Sequence, residues 1–297
     1  MTAEEHGVAS EPADVGHERV WTERIWAGES VRLDRALAES GLARSRSHAA
    51  ELIAAGRTRI DGRPAMKAAE KVSGGAVLAA ADLDHYVSRG AHKLVAGLDA
   101  FGVDPTGRLA LDVGASTGGF TQVLLERGAR AVLAIDVGHD QLSESLKGDP
   151  RIRLVEGLNA REMSAAGLAE LTGEPALPEV IVADLSFIAL PLVLPAMVAV
   201  AAEAADFVLL IKPQFEVGRS GIRDGIVVDP ARRERAVQGV LAAARALGLH
   251  TQGLIPSPIV GGAGNREYVV HFTRGRGPSD SGGDPTEWAA RIRALTA

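Results

Sequence analysis

Residues 111–120 read Leu-Asp-Val-Gly-Ala-Ser-Thr-Gly-Gly-Phe, and this stretch decides the fold. It joins the apolar run Leu109–Val113, which predicts a strand, to Thr117–Glu126, which predicts a helix. Gly114 permits a sharp turn after the strand, and the pair Gly118-Gly119 lets a ligand approach the backbone at the helix N-terminus. This order predicts the nucleoside-binding corner of an open α/β sheet.

The acids around this loop indicate which nucleoside cofactor it holds. The dinucleotide fingerprint G-x-G-x-x-G fails at its second glycine, because Ser116 stands there. Asp112 would repel a pyrophosphate but suits an ammonium and a sulfonium, and Asp136, at the next strand end, can accept both ribose hydroxyls of an adenosine. A tight turn without a ligand would not account for both acids. The expected cofactor is S-adenosylmethionine, bound by Asp112, Gly114, Ala115, Ser116, Thr117, Gly118, Gly119, Phe120, Asp136, Val137, Asn159 and Asp184.

Short apolar runs alternate with helical patterns through the rest of the chain, which is typical of a parallel sheet covered on both faces. The predicted strands are Leu109–Val113, Ala131–Val137, Ile152–Val155, Val180–Asp184, Phe207–Lys212, Gln252–Pro256 and Tyr268–Thr273. The predicted helices are Thr117–Glu126, Gln141–Leu146, Leu190–Ala202 and Ala231–Leu247. Seven strands with a terminal pair predict an α/β fold with the Rossmann-like sheet of class I methyltransferases, preceded by a small α+β domain.

Two further strand ends carry charged side chains, Asp184 and Lys212. A lysine at the end of an apolar strand is costly unless it is paired or functional, so one explanation is a structural ion pair between the two. The other is catalytic, because a ribose hydroxyl is a poor nucleophile that needs a base or a strong orienting group. Lys93 is a further cation that could tune Lys212. The Asp-Pro-Pro-Tyr signature of base-nitrogen methylation is absent, since residues 184–187 read Asp-Leu-Ser-Phe.

The N-terminal part of the chain differs in composition. Residues 1–28 are polar and acidic and predict a disordered leader. Residues 29–82 predict two helices, then a strand closed by the hairpin turn Asp61-Gly62. Residues 32–71 carry nine Lys/Arg against five acids, a local charge of +4 in a chain of formal net charge −6. This excess predicts an RNA-binding face, although a solvated helix face would give the same count. The expected contacts are Arg32, Arg35, Arg44, Arg46, Arg57, Arg59, Arg63, Lys67 and Arg89.

Composition excludes several classes of protein. The chain has no cysteine, which excludes disulfides, cysteine-ligated zinc and thiolate catalysis. The most apolar run, Ala189–Ala202, contains two prolines and is shorter than the roughly 20 residues that a bilayer requires. With no signal peptide in its acidic start, the chain is expected to be cytoplasmic. Residues 83–90 are the expected linker, and residues 275–297 are expected to form a peripheral tail with an amphipathic stretch.

The order of several segments resembles the TlyA (hemolysin A) family of ribosomal RNA 2′-O-methyltransferases, whose catalytic domain is FtsJ-like. The matching segments are residues 32–34, 41–46, 87–94, 114–120, 136–138, 184–188, 211–218 and 264–268. The resemblance implies an S4 RNA-binding domain at 29–82 and an FtsJ-like methyltransferase domain at 91–274. It implies that the substrate is ribosomal RNA within ribosomal subunits, with a cytidine of the small or large subunit as target.

The resemblance also implies a catalytic tetrad of Lys93, Asp184, Lys212 and Glu267. In this scheme Lys212 takes the proton of the target hydroxyl, Asp184 and Glu267 orient Lys212, and Lys93 holds the ribose or tunes Lys212. No metal is required. Two alternatives stay open at this point: a membrane-active hemolysin, as the family's other name states, and a non-catalytic factor that binds ribosomal RNA during assembly.

Overall fold

The computed structural model describes residues 21–43, 45–81, 85–218, 222, 224–261, 264–274 and 285–297, the last range with its side chains from Trp288 onward. The chain divides into two compact units, with the boundary between His85 and Tyr86. Each unit has its own hydrophobic core and is described by itself. Among the described residues, none of the helices has both the length and the apolar character that crossing a bilayer demands.

The N-terminal unit combines an antiparallel sheet with two helices. Its elements are β1 Trp21–Ile25, β2 Val31–Arg32, α1 Leu33–Glu39, α2 Arg46–Ala54, β3 Thr58–Ile60, β4 Arg63–Pro64, β5 Lys71–Val72 and β6 Val77–Ala81. The four-stranded sheet has the order β1-β6-β3-β4, and β2 pairs with β5. The predicted hairpin is confirmed, because β3 and β4 pair across Asp61 and Gly62, whose φ angles are 49° and 78°.

The predicted disordered leader is wrong for its last part. Residues 21–25 form strand β1, which pairs in antiparallel register with β6 from Trp21 opposite Ala81 to Ile25 opposite Val77. Next to it, Trp26 is buried in the core of the unit. Burial of a tryptophan and a complete strand ladder outweigh the acidic composition on which the prediction of disorder rested. Residues 1–20 lie outside the described part of the chain.

The C-terminal unit is built on a seven-stranded sheet, as predicted. Its strands are β7 Leu109–Val113, β8 Ala131–Ile135, β9 Ile152–Val155, β10 Val180–Ala183, β11 Asp206–Ile211, β12 Leu249–Pro256 and β13 Tyr268–Arg274. They lie in the order β12-β13-β11-β10-β7-β8-β9, and β13 is the one strand of this sheet whose direction is opposite to that of the other six. Because the parallel strands point the same way, the residues that follow β8, β10 and β11 share one edge.

Helices cover both faces of this sheet. They are α3 Ala91–Phe101, α4 Gly119–Glu126, α5 Ala165–Thr172, α6 Leu194–Val200, α7 Pro213–Glu216, α8 Pro230–Ala246 and α9 Pro285–Thr296. Helices α3 and α4 pack on one face, and α5, α6, α8 and α9 pack on the other. Alternate strand residues point to opposite faces, so β7 sends Leu109, Leu111 and Val113 to the α8 side and Ala110 to the α3 side.

Some predicted helices differ in the structure. The helix predicted at Gln141–Leu146 is wrong, because this segment forms turns after Asp140, whose φ is 57°. The helix predicted at Leu190–Ala202 divides into a 3₁₀ turn at Leu190–Leu192 and α6, since Pro191 and Pro195 supply no backbone N–H. Helices α3 and α5 were not predicted at all.

The C-terminal tail is not peripheral. Helix α9 packs against α8, with Trp288 and Ile292 buried in the main core of the unit. Arg233 of α8 donates to the carbonyl oxygen of Thr296 through Nε at 3.1 Å and Nη2 at 2.8 Å. The peripheral tail was predicted from the glycine- and serine-rich composition of the preceding residues. The amphipathic helix that follows them packs its apolar side chains into the core of the unit.

Candidate active site

The loop between β7 and α4 reverses direction through three residues with left-handed backbone. Gly114, Ser116 and Gly118 have φ angles of 85°, 47° and 92°. The loop is tied to β8, because the amides of Gly114 and Ala115 both donate to the carbonyl of Ile135, at 2.9 and 3.0 Å. At Gly118 a Cβ atom would lie 2.4 Å from Leu146 Cδ1, so this position needs glycine both for its φ and for its space.

A cavity of about 170 Å³ lies between this loop and the ends of β10 and β11. The segment before α3 closes its third side, since a Cβ on Gly119 would lie 2.5 Å from the Ser88 hydroxyl oxygen. Its lining is mostly backbone and small side chains, with one carboxylate and one ammonium. The lining residues are Ser88, Gly90, Gly114, Ala115, Ser116, Thr117, Gly119, Phe120, Asp184, Ser186 and Lys212.

Asp112 lies behind the loop rather than in this cavity. It is fully buried, and its Oδ2 accepts a hydrogen bond from the Thr121 hydroxyl at 2.7 Å. Burial raises the pKa of Asp112 to about 7, and the nearby Asp184 and Asp136 add to this effect, while the Thr121 hydrogen bond opposes it. The structure therefore differs from the expected direct contact with a cofactor ammonium, because the carboxylate has no exposed face.

Asp136 lies at the edge where the sequence places it. Its two oxygens accept the amides of Ser116 at 2.8 Å and Gly138 at 2.7 Å, and its side chain remains partly exposed. A carboxylate has about four lone-pair positions, so these bonds leave acceptor capacity for ribose hydroxyls. Val137 beside it is 71% exposed and offers an apolar surface. Asn159 is engaged locally, since its Oδ1 caps the 3₁₀ turn at Ala160–Glu162 and its Nδ2 donates to Glu162.

The structure brings together Lys93, Asp184, Lys212 and Glu267. Lys212 Nζ lies 2.5 Å from Asp184 Oδ1, and Lys93 Nζ lies 3.6 Å from Asp184 Oδ2. Lys93 Nζ also donates to Glu267 Oε2 at 2.6 Å. The four groups form a chain of alternating charge in the order Lys212, Asp184, Lys93 and Glu267, and both lysines and Glu267 are buried. Alternation offsets the cost of burying each ion.

Two neighbours of this cluster, and a buried carboxyl group on α7, were missed by the sequence analysis. Ser186 accepts a hydrogen bond from Lys212 Nζ at 3.0 Å, and Gln214 Nε2 donates to Glu267 Oε1 at 3.0 Å. Glu216 accepts the backbone amide of Leu190 at 2.8 Å, and burial raises the pKa of Glu216 to about 7. All three lie within five residues of a predicted strand end, which is the signal that could have identified them.

An aromatic pair lies beside the cavity. Phe187 is 91% exposed and has a φ of 63°, which is unusual for a bulky residue. Its ring centroid lies 5.3 Å from that of Phe215, and the Phe215 ring lies 5.8 Å from Lys212 Nζ. The exposed Phe187 ring, which packs on the ring that faces the Lys212 ammonium, provides a surface on which a planar group could stack.

Several basic residues expected to contact RNA are paired with acids inside the N-terminal unit. Arg32 and Arg46 both bond Asp34 at 3.0 Å, and the hydrogen bond from Arg32 is the main cause that lowers the pKa of Asp34 to about 2. Arg35 pairs with Glu39 at 2.6 Å, and Arg63 pairs with Glu70 at 2.7 Å. Their guanidinium groups remain half exposed or more, so pairing does not remove them from the surface.

The remaining five basic residues differ in their surroundings. Arg59 stacks on Trp21, with the guanidinium carbon 3.9 Å from the ring centroid, and Arg57 and Lys67 are exposed. Arg89 is exposed and belongs to the C-terminal unit, where it lies between Ser88 and Gly90, two residues that line the cavity. Arg44 lies outside the described residues.

Comparisons with known proteins cover most of the chain. The FtsJ-like methyltransferase family matches residues 86–274, and the S4 domain family matches residues 31–78. The 16S/23S rRNA (cytidine-2′-O)-methyltransferase TlyA of Mycobacterium tuberculosis (strain CDC 1551 / Oshkosh) is 50% identical over 81% of this chain and 88% of its own length. Hemolysin A of Brachyspira hyodysenteriae is 35% identical over 82% of this chain and 99% of its own. The solved structure of a candidate hemolysin from Streptococcus thermophilus is 34% identical, with a TM-score of 0.69 over 90% of this chain and 96% of that one.

Proposed function

Because the chain belongs to the FtsJ-like methyltransferase family and is an S-adenosylmethionine-dependent enzyme, we propose that it methylates a ribose 2′-hydroxyl of ribosomal RNA. The single observation that carries the proposal is the buried charge chain with Lys212 at the cavity wall. The relative from Mycobacterium tuberculosis is named for a cytidine in 16S and 23S rRNA, which makes a cytidine the proposed target. Ribosomal subunits are the proposed partner, and the cytoplasm, where they reside, is the proposed location.

The residues at the β7 and β8 ends fit an S-adenosyl cofactor. The left-handed loop at 114–118 leaves backbone close to the cavity, and Asp136 keeps acceptor capacity for two ribose hydroxyls. Exposed Val137 would cover one face of the adenine. When bound, the cofactor supplies an electrophilic methyl group on a sulfonium. Asp184 and the loop line the cavity that would receive this group, while Asp112 supports the loop through Thr121.

Lys212 is the proposed base. After Nζ of Lys212 has released its own proton to solvent, it would take the proton of the 2′-hydroxyl and become an ammonium again. In the same step the hydroxyl oxygen would bond to the methyl carbon, and the bond between that carbon and the sulfonium sulfur would break to leave a thioether. Asp184, 2.5 Å away, then stabilises that ammonium, and Ser186 fixes its direction. Lys93 lies between Asp184 and Glu267, and its Nζ pairs with Oδ2 of Asp184, the carboxylate oxygen that does not face Lys212. An ion pair serving stability alone would not need a lysine at the cavity wall.

The N-terminal unit is the proposed RNA anchor. It matches the S4 domain family, and residues 32–71 hold four more basic than acidic residues. Exposed guanidinium groups at Arg32, Arg35, Arg46 and Arg63 can contact phosphates while their acids keep them oriented. Such contacts position structured RNA without reading much sequence.

Replacing Lys212 by methionine tests the mechanism. This change keeps the length of the side chain and removes the proton acceptor, so transfer of labelled methyl to ribosomal subunits should fall about 100-fold or more. Affinity for S-adenosylmethionine, measured by calorimetry, should stay within about threefold, which shows that the protein is folded. Arg130→Met is the matched control, because it removes one cation from a surface pair with Glu174 at the opposite edge of the sheet. Equal transfer by Lys212→Met and wild type would exclude the mechanism.

A further inference from the structure

We propose that Gln214 is a positioning residue for the active site: its side-chain amide fixes Glu267, and through Glu267 it fixes Lys93. The inference rests on the proposed function, because it assigns a role within the same charge chain. Gln214 lies in the matching segment 211–218 and two residues after a predicted strand end, but neither the resemblance nor the strand-end pattern assigns it a role. It emerges from how the two oxygens of Glu267 are held.

Each oxygen of the Glu267 carboxylate has a different donor. Gln214 Nε2 donates to Oε1 at 3.0 Å, and Lys93 Nζ donates to Oε2 at 2.6 Å. Glu267 is 4% exposed, and a Cβ atom on Gly261 would lie 2.5 Å from its Oε1, so the carboxylate fits closely against the backbone there. Gln214 is the second residue of α7, directly after Lys212 and Pro213. One short segment therefore carries the proposed base and holds the far end of the charge chain.

The orientation of the Gln214 amide follows from its partner. A carboxylate can only accept hydrogen bonds, so the amide nitrogen must face Glu267. This orientation leaves Gln214 Oε1 buried, with no hydrogen-bond partner among the described residues. A buried acceptor without a partner lowers stability, and an apolar side chain of the same length would remove this acceptor while it leaves Glu267 Oε1 without its donor, so the two effects oppose each other. Stability alone therefore does not account for a glutamine at this position, whereas orientation of Glu267 does.

Loss of the Gln214 donor would alter the charge chain. Without it, the Glu267 carboxylate can rotate and offer both oxygens to Lys93. That draws Lys93 Nζ away from Asp184, from which it is separated by 3.6 Å. Asp184 is then held by Lys212 alone, and the direction of the Lys212 Nζ changes relative to the cavity. A shift of about 1 Å in a reacting group can lower a rate up to about 100-fold.

The first test is Gln214→Met, which keeps shape and removes the donor. We expect the rate of methyl transfer at saturating substrates to fall about 10- to 100-fold. Affinity for S-adenosylmethionine should stay within about twofold. The midpoint of unfolding in urea should stay close to that of wild type, because the variant removes one unpaired buried acceptor, Gln214 Oε1, and leaves another, Glu267 Oε1, without its donor. Gln238→Met is the matched control, since Gln238 Nε2 donates to Glu234 Oε1 at 3.1 Å on α8, away from the cavity. It should transfer methyl like wild type.

The second test is Gln214→Glu, assayed between pH 8 and pH 6. The groups that face this position are Glu267, Lys93 on α3 and, through Lys93, Asp184. Two carboxyl groups in contact retain one proton more readily as the pH falls, and that O–H can replace the amide donor. The activity of Gln214→Glu relative to wild type should therefore rise several-fold toward pH 6, while that of Gln214→Met stays constant.

Two results would overturn the inference. One is transfer by Gln214→Met at the wild-type rate. The other is a parallel loss of activity, cofactor affinity and folding stability, with no pH-dependent recovery in Gln214→Glu, which would make the residue merely structural. Methyl transfer by wild type and Gln238→Met would show in either case that the proposed function itself holds.

Discussion

Asp112 is the residue whose ionisation the fold opposes most clearly. Burial raises its pKa from 3.8 to about 7, so the folded protein holds a proton that the unfolded chain has already lost near neutral pH. The stability that this proton contributes is complete below the unfolded pKa of 3.8 and is lost as the pH rises through about 7. An asparagine would keep the Thr121 hydrogen bond without any charge to bury.

Asp112→Asn should therefore stabilise the protein more at pH 8 than at pH 5. The expected difference in the free energy of unfolding between the two pH values is on the order of 2 kcal/mol, because one pKa unit corresponds to about 1.4 kcal/mol. Urea unfolding followed by circular dichroism measures it. Asp149→Asn is the control, since the pKa of Asp149 is lowered by its hydrogen bond to Arg151 and no gain is expected at pH 8. An equal effect at both pH values would contradict the burial argument.

The proposed active-site residues were accessible from sequence to different degrees. Asp184 and Lys212 follow predicted parallel strands, so the rule for strand ends brings them together without any relative. Lys93 and Glu267 are 174 residues apart in the chain and bond at 2.6 Å. Lys93 belongs to a helix that was not predicted, and the residues indicated it only as a further cation without a position. Glu267 precedes the one antiparallel strand of its sheet, and only the family resemblance identified it. Gln214 was found through its contact alone.

At the scale of elements, the loop before α4 needs glycine at a defined place. Gly118 and Gly148 both have left-handed backbone, with φ angles of 92° and 87°. A Cβ on Gly118 would overlap Leu146 and Leu142, whereas a Cβ on Gly148 would have no atom within 4 Å. Replacing Gly148 therefore tests the effect of a left-handed backbone alone, whereas replacing Gly118 adds a steric overlap to it.

Gly118→Ala should weaken binding of S-adenosylmethionine by more than about tenfold, because the overlap displaces the loop that borders the cavity. Gly148→Ala should leave affinity unchanged and lower the free energy of unfolding by about 1–2 kcal/mol, the cost of left-handed backbone in a residue with a Cβ. Calorimetric titration and urea unfolding of both variants give the comparison. Similar affinities for the two would show that the fit of Gly118 against Leu146 is unimportant for the cofactor.

The wrong predictions of helices have causes in the local sequence. Leu142 and Leu146 are spaced like a helix face and are both buried, yet left-handed Asp140 begins a series of turns. Helix α3 was not predicted although Ala91, Leu94 and Leu98 are buried at helical spacing, because residues 88–93 were interpreted only as a charged motif. Periodicity shows which residues are buried but does not distinguish a helix from a set of turns that buries the same side chains.

At the scale of the whole molecule, the last helix is part of the core of its unit. Trp288 is 8% exposed and packs in the cluster that also holds residues of β7, β11 and α8. Arg293 on the same helix has a side chain that is 76% exposed. The sequence of the tail could not predict this packing. Whether an amphipathic helix packs on a core depends on a surface formed by residues far away in the chain.

Trp288→Ala should lower the free energy of unfolding by about 3–5 kcal/mol, the usual cost of truncating a buried tryptophan. Arg293→Ala, on the exposed face, should change it by no more than about 0.5 kcal/mol. Urea unfolding followed by circular dichroism distinguishes the two variants. A small effect of Trp288→Ala would mean that α9 contributes little to the stability of the unit.

The central claim, that the chain methylates ribose in ribosomal RNA, depends on where the methyl group is placed. The direct measurement incubates the protein with labelled S-adenosylmethionine and ribosomal subunits that lack this modification, then hydrolyses the RNA in alkali. Alkaline cleavage requires a free 2′-hydroxyl, so a 2′-O-methylated nucleotide stays joined to its 3′ neighbour. We expect the label in alkali-stable dinucleotides beginning with cytidine. Label in mononucleotides, or no label in the RNA, would contradict the proposed function.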